Sequence, residues 1–125
     1  MNYLGVDFGL KKIGLATSEG TLAAPFKIIE VKGIEDAVEK ISQIITVEGF
    51  EIVVVGQPEG KIGGSAKKFI NGLKQKGFLV ESIDEHLSTK NARNLMIELG
   101  VGQQKRKLND HYSATLILQE YLDNL

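Results

Sequence analysis

Three carboxylates, Asp7, Glu85 and Asp110, stand at the ends of strand-like or helical runs. Asp7 closes the run Tyr3-Leu-Gly-Val, whose bulk and branching suit a buried strand, and a carboxylate is costly to bury unless something pairs with it. Glu85, in the pair Asp84-Glu85, closes a second strand-like run, and Asp110 opens the last helical stretch. If the three met within about 5 Å, each would repel the next by roughly 3 kcal/mol at an effective dielectric near 20. Such a cluster stays ionised only with compensating cations. Oxygen ligands without His or Cys favour Mg²⁺ or Mn²⁺ over zinc. Two such ions about 4 Å apart would activate a water and stabilise the departing oxygen of a phosphodiester.

The elements that must position these residues read as follows. Tyr3 to Asp7 is a strand, Gly9 permits a tight reversal, and Ile13 to Ala16 pairs back as a hairpin with Asp7 near its closed end. Phe26 to Val31 makes a third strand, entered through Pro25. Ile34, Val38, Ile41 and Ile45 fall at helical spacing, with acid in the first turn and Gly49 as the stop. Ile52-Val-Val-Val-Gly56 is unbroken and β-branched, as in a central parallel strand. A loop from Gln57 to Gly64 leads to Ser65, which can cap a helix carrying Ala66, Phe69, Ile70 and Leu73 and ended by Gly77. Phe78 to Ile83 is the next strand. Thr89 can cap a helix with Ala92, Leu95, Met96 and Leu99 inward. A last helix runs from about Asn109 toward Leu122, with Tyr112, Leu116, Tyr121 and Leu122 as core contacts.

Three strands followed by alternating helices and strands predict an α/β fold, a mixed sheet with an antiparallel start. Ligand sites in open α/β sheets collect beyond the carboxyl ends of the parallel strands. Asp7 and Glu85 belong to such ends, Gly56 ends the strand between them, and Asp110 follows a long polar loop that can bring it to the same edge. Each carboxylate alone has a plainer reading: Asp7 as a turn former, Asp84 and Glu85 as solvated loop residues, Asp110 as a helix cap. Their joint placement favours a shared site.

Cations flank this edge. Lys11 and Lys12 mark the hairpin tip, and Lys105, Arg106 and Lys107 lead directly into Asp110, where a nucleic-acid phosphate would pass. Either set could equally serve as a solvated turn. His86 and His111 follow carboxylates and are ordinarily surface residues. Gly60, Gly63 and Gly64 form neither of the common phosphate-loop patterns, so loop geometry accounts for them.

Composition bounds the possibilities. With 125 residues, 42% hydrophobic and 25% charged, the chain fits one ordinary globular domain spanning 1–125. It has no cysteine, hence neither a disulfide nor a thiolate-zinc framework. No apolar run approaches the ~20 residues of a membrane span. Met1 leads straight into the first strand without an export signal, which predicts a cytoplasmic protein. The net charge of -1 argues against a general nucleic-acid coater and leaves any such contact to local basic clusters.

Four blocks resemble one known family. Val-Asp-Phe-Gly-Leu-Lys-Lys-Ile-Gly-Leu-Ala (6–16), Val-Val-Val-Gly-Gln-Pro (53–58), Asp-Glu-His-Leu-Ser-Thr (84–89) and Asn-Asp-His-Tyr-Ser-Ala-Thr-Leu-Ile-Leu-Gln-Glu-Tyr-Leu (109–122) are similar, in order, to the YqgF family, also called RuvX. The resemblance implies an RNase H-like fold: a five-stranded mixed sheet, its first three strands antiparallel, flanked by helices and related to the RuvC-type Holliday junction resolvases. It further implies a cytoplasmic nuclease processing the 5′ end of the small-subunit ribosomal RNA precursor. The family's acidic residues correspond to Asp7, Glu85 and Asp110. Two positions depart from its pattern: His86 stands where Arg is usual, replacing a forked cation by a mostly neutral imidazole, and Gln57 stands where an apolar residue is usual.

The expectation is therefore a two-metal nuclease. Asp7, Glu85 and Asp110 are its catalytic and metal-holding residues, and Lys11, Lys12, His86, Lys105, Arg106 and Lys107 bind structured RNA or branched DNA. The protein is expected as a monomer or weak homodimer with no membrane contact. Two other readings are nucleotide binding, since Asp7, Gly9 and Gly14 also resemble the phosphate hairpin of the actin and sugar-kinase folds, and a nucleic-acid-binding module without catalysis.

Overall fold

A computed structural model describes residues 1–57, 61–84 and 109–125, with the backbone alone at 57, 61–63, 84 and 109–111. The expected helix after Thr89 and the basic loop before Asn109 lie outside the described residues. Five strands form one sheet: β1 (Tyr3–Asp7), β2 (Lys12–Ser18), β3 (Ala23–Glu30), β4 (Ile52–Gln57) and β5 (Leu79–Asp84). Their order is β3-β2-β1-β4-β5. The first three are antiparallel, and β4 joins β1, and β5 joins β4, in parallel. The predicted mixed sheet with an antiparallel start is the one observed. β3 begins earlier than the sequence suggested, at Ala23, and takes in Pro25; as an edge strand it tolerates a residue without an N–H.

Helices α1 (Ile34–Glu48) and α2 (Lys61–Gln75) cover one face and α3 (Asn109–Asp123) the other. Strand alternation sorts the residues between them. Leu4, Val6 and Phe8 of the first segment join Ile13, Leu15, Val53 and Val55 under α1 and α2. Tyr3, Ala16 and Val54 pack instead under Ala114, Ile117, Leu118 and Leu122 of α3. Burying these side chains supplies most of the stabilisation, at roughly 25 cal/mol per Å² of apolar surface.

The stop predicted for α1 is present: Gly49 takes the left-handed conformation and its N–H donates to the Ile45 carbonyl at 2.9 Å. The start predicted for α2 is corrected. The helix begins at Lys61, so Ser65 lies inside it rather than capping it, and the loop through Gly64 is shorter than expected. Glycine ends a helix when it adopts a positive φ, and Gly64 does not. The buried stripe of α3 is also corrected. Ala114, Ile117, Leu118 and Leu122 are buried, Tyr121 is partly so, and Tyr112 and Leu116 are only half-buried. Burial pushes the Tyr121 phenol above its ordinary pKa, with Glu81 and Tyr3 adding to the shift.

Candidate active site

Asp7 is the last residue of the central strand β1 and is partly buried. Its register partners are Gly14 on β2 and Gly56 on β4. Residues paired across strands project to the same face, so the positions directly opposite Asp7 on both neighbouring strands are glycines. The next residue fixes its position. Phe8 is buried on the opposite face, its ring 4.9 Å from that of Phe69. Beyond it the hairpin turns tightly: any Cβ at Gly9 would strike the Lys12 carbonyl oxygen.

The path of α3 is set by β1. Tyr121 meets Tyr3 with ring centroids 6.2 Å apart, and one step along, Ala114 and Leu118 lie over Gly5. A Cβ at Gly5 would stand 2.7 Å from Leu118 Cβ and 2.9 Å from the Ala114 carbonyl oxygen. The helix thus runs antiparallel to the strand. Four helical residues back from Ala114 span about 6 Å, and two strand residues forward from Gly5 span nearly 7 Å. Both steps lead the same way, one to the backbone of Asp110 and the other to Asp7. The first and last acidic positions therefore come from elements packed together, with the start of α3 on the sheet face and at the strand end that Asp7 occupies.

Gly56 pairs in turn with Ile83, which packs on the α3 face. Asp84 ends β5, and Glu85 and His86 lie outside the described residues, as do Lys105, Arg106 and Lys107. Among the described residues, no three His, Cys, Asp or Glu side chains group as a metal site. Asp7 alone of the three expected ligands has a described side chain. What it offers fits a hard divalent cation: a carboxylate oxygen donor on a rigid strand end, between two glycines.

Lys11 and Lys12 are exposed at the hairpin tip, as expected. The structure adds two cations to them that sequence spacing did not single out. Lys32 and Lys40 line the same cleft as Lys11 and Lys12. The only sequence signal for this is the position of Lys32 two residues after the end of β3, which runs antiparallel to β2 and so returns to the hairpin tip.

Comparison with known proteins bears on the family and the fold. A protein called "Putative pre-16S rRNA nuclease" in Chlorobaculum tepidum is 34% identical, over 97% of this chain and 92% of its own. One of the same name in Mesoplasma florum is 37% identical, over 99% and 97%. Among solved structures, Thermus thermophilus RuvC bound to a Holliday junction substrate superposes with a TM-score of 0.61 at 16% identity, over 94% of this chain and 91% of that one. The fowlpox virus Holliday junction resolvase gives 0.62 at 12% identity, over all of both chains. At those identities the structural likeness establishes the fold, which is the RNase H-like fold of RuvC-type resolvases. The family model described as RuvX, Holliday junction resolvase, matches residues 1–124, and the chain belongs to that family.

Proposed function

We propose that this chain is a divalent-metal-dependent nuclease that hydrolyses phosphodiester bonds at the edge marked by Asp7, and that its cellular substrate is the 5′ end of the pre-16S ribosomal RNA. The observation that carries the proposal is the placement of Asp7: central strand end, glycine on both flanks, and the start of α3 brought to it by the Gly5 contact. Curated relatives named for pre-16S rRNA support the substrate. The whole of 1–125 acts as one domain, in the cytoplasm. Among the described residues no helix is long and apolar enough to cross a membrane.

In this reading Asp7, Glu85 and Asp110 would hold two Mg²⁺ or Mn²⁺ ions. Ile83 faces α3, so the strand period of two favours Glu85 over Asp84 as the second ligand. When bound, the ions supply Lewis acidity at the phosphate and lower the pKa of water. The rigid strand end fixes Asp7, and α3 carries Asp110 to it, so the substrate phosphate meets a prepositioned charge distribution. A water oxygen bonds to phosphorus in line as the opposite P–O bond breaks, and the leaving oxygen takes a proton. Lys11, Lys12, Lys105, Arg106 and Lys107 hold the flanking phosphates with little regard for base identity, and His86 contributes a weaker contact than an arginine would.

The family description also names Holliday junctions. Symmetric cutting of a four-way junction requires two copies, whereas an RNA end needs one. A side-by-side assay of the protein and its Asp7→Asn form with Mn²⁺, on pre-16S RNA, duplex DNA and a four-way junction, separates these substrates. Cleavage of the RNA by the wild type and none by Asp7→Asn is expected. Equal activity in both forms would reject the site.

A further inference from the structure

We infer that the corner between the hairpin tip and the start of α1 is a preformed docking cleft for the phosphodiester backbone, with Lys32 as a phosphate-binding residue and Lys40 as its brace. The inference rests on nucleic acid being the substrate, and it extends that reading to residues on a different part of the chain. The cleft, about 370 Å³, is lined by Lys11, Lys12, Glu30, Val31, Lys32 and Lys40. Four lysines face two carboxylates there, Glu30 and the adjacent Asp36, so the cleft is cationic.

Three hydrogen bonds hold this corner as one body. The Val31 N–H donates to the Lys11 carbonyl at 2.8 Å, tying the end of β3 to the hairpin tip. The Lys32 N–H donates to Asp36 Oδ2 at 2.8 Å, and Lys40 Nζ donates to the Glu30 carbonyl at 2.8 Å. Lys40 also lies 3.3 Å from Asp36 Oδ2. The Asp36 carboxylate and the Glu30 backbone carbonyl therefore engage Lys40 and the Lys32 N–H, while the side chains of Lys11, Lys12 and Lys32 are set around the cleft on a braced frame. Gly33, with φ of 127°, turns the chain directly after Lys32 in a conformation that other residues rarely adopt. A cluster held this way loses less freedom on meeting a polyanion than lysines on independent loops would.

Its position suits a strand leaving the cleavage site. Lys12 lies two residues beyond Gly14, the register partner of Asp7, a separation of about 7 Å. A nucleic-acid strand carries a phosphate every ~3.4 Å of helix axis, so the Lys12 end of the cleft lies about two phosphates from the level of Asp7, and Lys32 and Lys40 lie farther along toward α1.

The test measures equilibrium binding of a 20-nucleotide RNA and a DNA of the same sequence in EDTA, across a salt series. Removing metal separates it from the cleavage reading, because a docking defect then appears without turnover. Lys11→Ala/Lys32→Ala should bind about tenfold more weakly near 0.1 M salt and lower the slope of log K against log salt by roughly 1.4, the value for two single-strand phosphate contacts. Lys11→Arg/Lys32→Arg should keep the wild-type slope, and Lys67→Ala/Lys68→Ala, on the exposed side of α2, should not alter it. The drop is expected on RNA and DNA alike, since both present the same phosphates. An unchanged slope in the Ala pair, an equal drop in the α2 control, failure of the Arg pair to retain the slope, or a drop on one nucleic acid only would overturn the cleft.

Discussion

The Ala114 carbonyl oxygen lies 2.9 Å from where a Cβ on Gly5 would stand, so α3 crosses β1 at the one position of that strand without a side chain. This contact sets both the height of the helix above the sheet and its register along the strand. Gly5→Ala should therefore destabilise the protein by about 1–3 kcal/mol through overpacking. It should also lower cleavage more than the loss of folded protein explains, because α3 carries Asp110. Chemical denaturation together with kcat at a temperature where the variant is fully folded checks both parts; an unchanged midpoint would contradict the packing.

Asp84 is the last residue of β5. Ile83 packs under α3, on the face that Asp7 shares. Glu85→Gln is expected to reduce kcat by at least about a hundredfold, a loss of nearly 3 kcal/mol in transition-state stabilisation, whereas Asp84→Asn should stay within about threefold of wild type. The reverse ranking would contradict Glu85 as the second ligand.

Gln119 ties α3 to the turn between β2 and β3. Its Oε1 accepts the Ala23 N–H at 2.8 Å, and its Nε2 donates to the Thr21 carbonyl at 3.1 Å and to Asp123 Oδ1 at 3.0 Å. Gln119→Leu leaves the Ala23 N–H without this acceptor and should cost about 1–3 kcal/mol, read as a lower denaturation midpoint. A neutral result would mean that water replaces the amide fully.

Acidification should loosen the corner at α1. The Lys32 N–H holds the Asp36 carboxyl below its ordinary pKa, helped by Lys40 and opposed by partial desolvation. Between its folded and unfolded pKa values, the unfolded chain binds the proton more readily. The stabilisation is therefore complete above about pH 4, the unfolded value, and is lost as pH falls through the depressed folded value. In an NMR titration the Asp36 carboxyl and the Lys32 amide should share one midpoint below the ordinary carboxyl value; a midpoint at or above that value would contradict the hydrogen bond.

Much of this was legible in the sequence because it depends on local chemistry. The Val53–Val55 run could only be a covered strand, Gly49 could stop α1 at low cost, and the closed hairpin put Asp7 at a strand end. Other features depend on what approaches from elsewhere. The buried stripe of α3 centres on Ala114 rather than Tyr112 or Leu116 because Gly5 lies beneath it, a fact that helical periodicity does not contain. The early start of α2 turned on the backbone angles of glycines, which their identity leaves open. Lys32 and Lys40 joined Lys11 and Lys12 only through the antiparallel return of β3.

Mn²⁺ binding followed by electron paramagnetic resonance tests, without reference to any substrate, whether Asp7, Glu85 and Asp110 share divalent ions. The account predicts two bound ions in the wild type, with loss of high-affinity binding in each of Asp7→Asn, Glu85→Gln and Asp110→Asn while the fold is retained. Wild-type stoichiometry and affinity persisting in any of the three folded variants would contradict it.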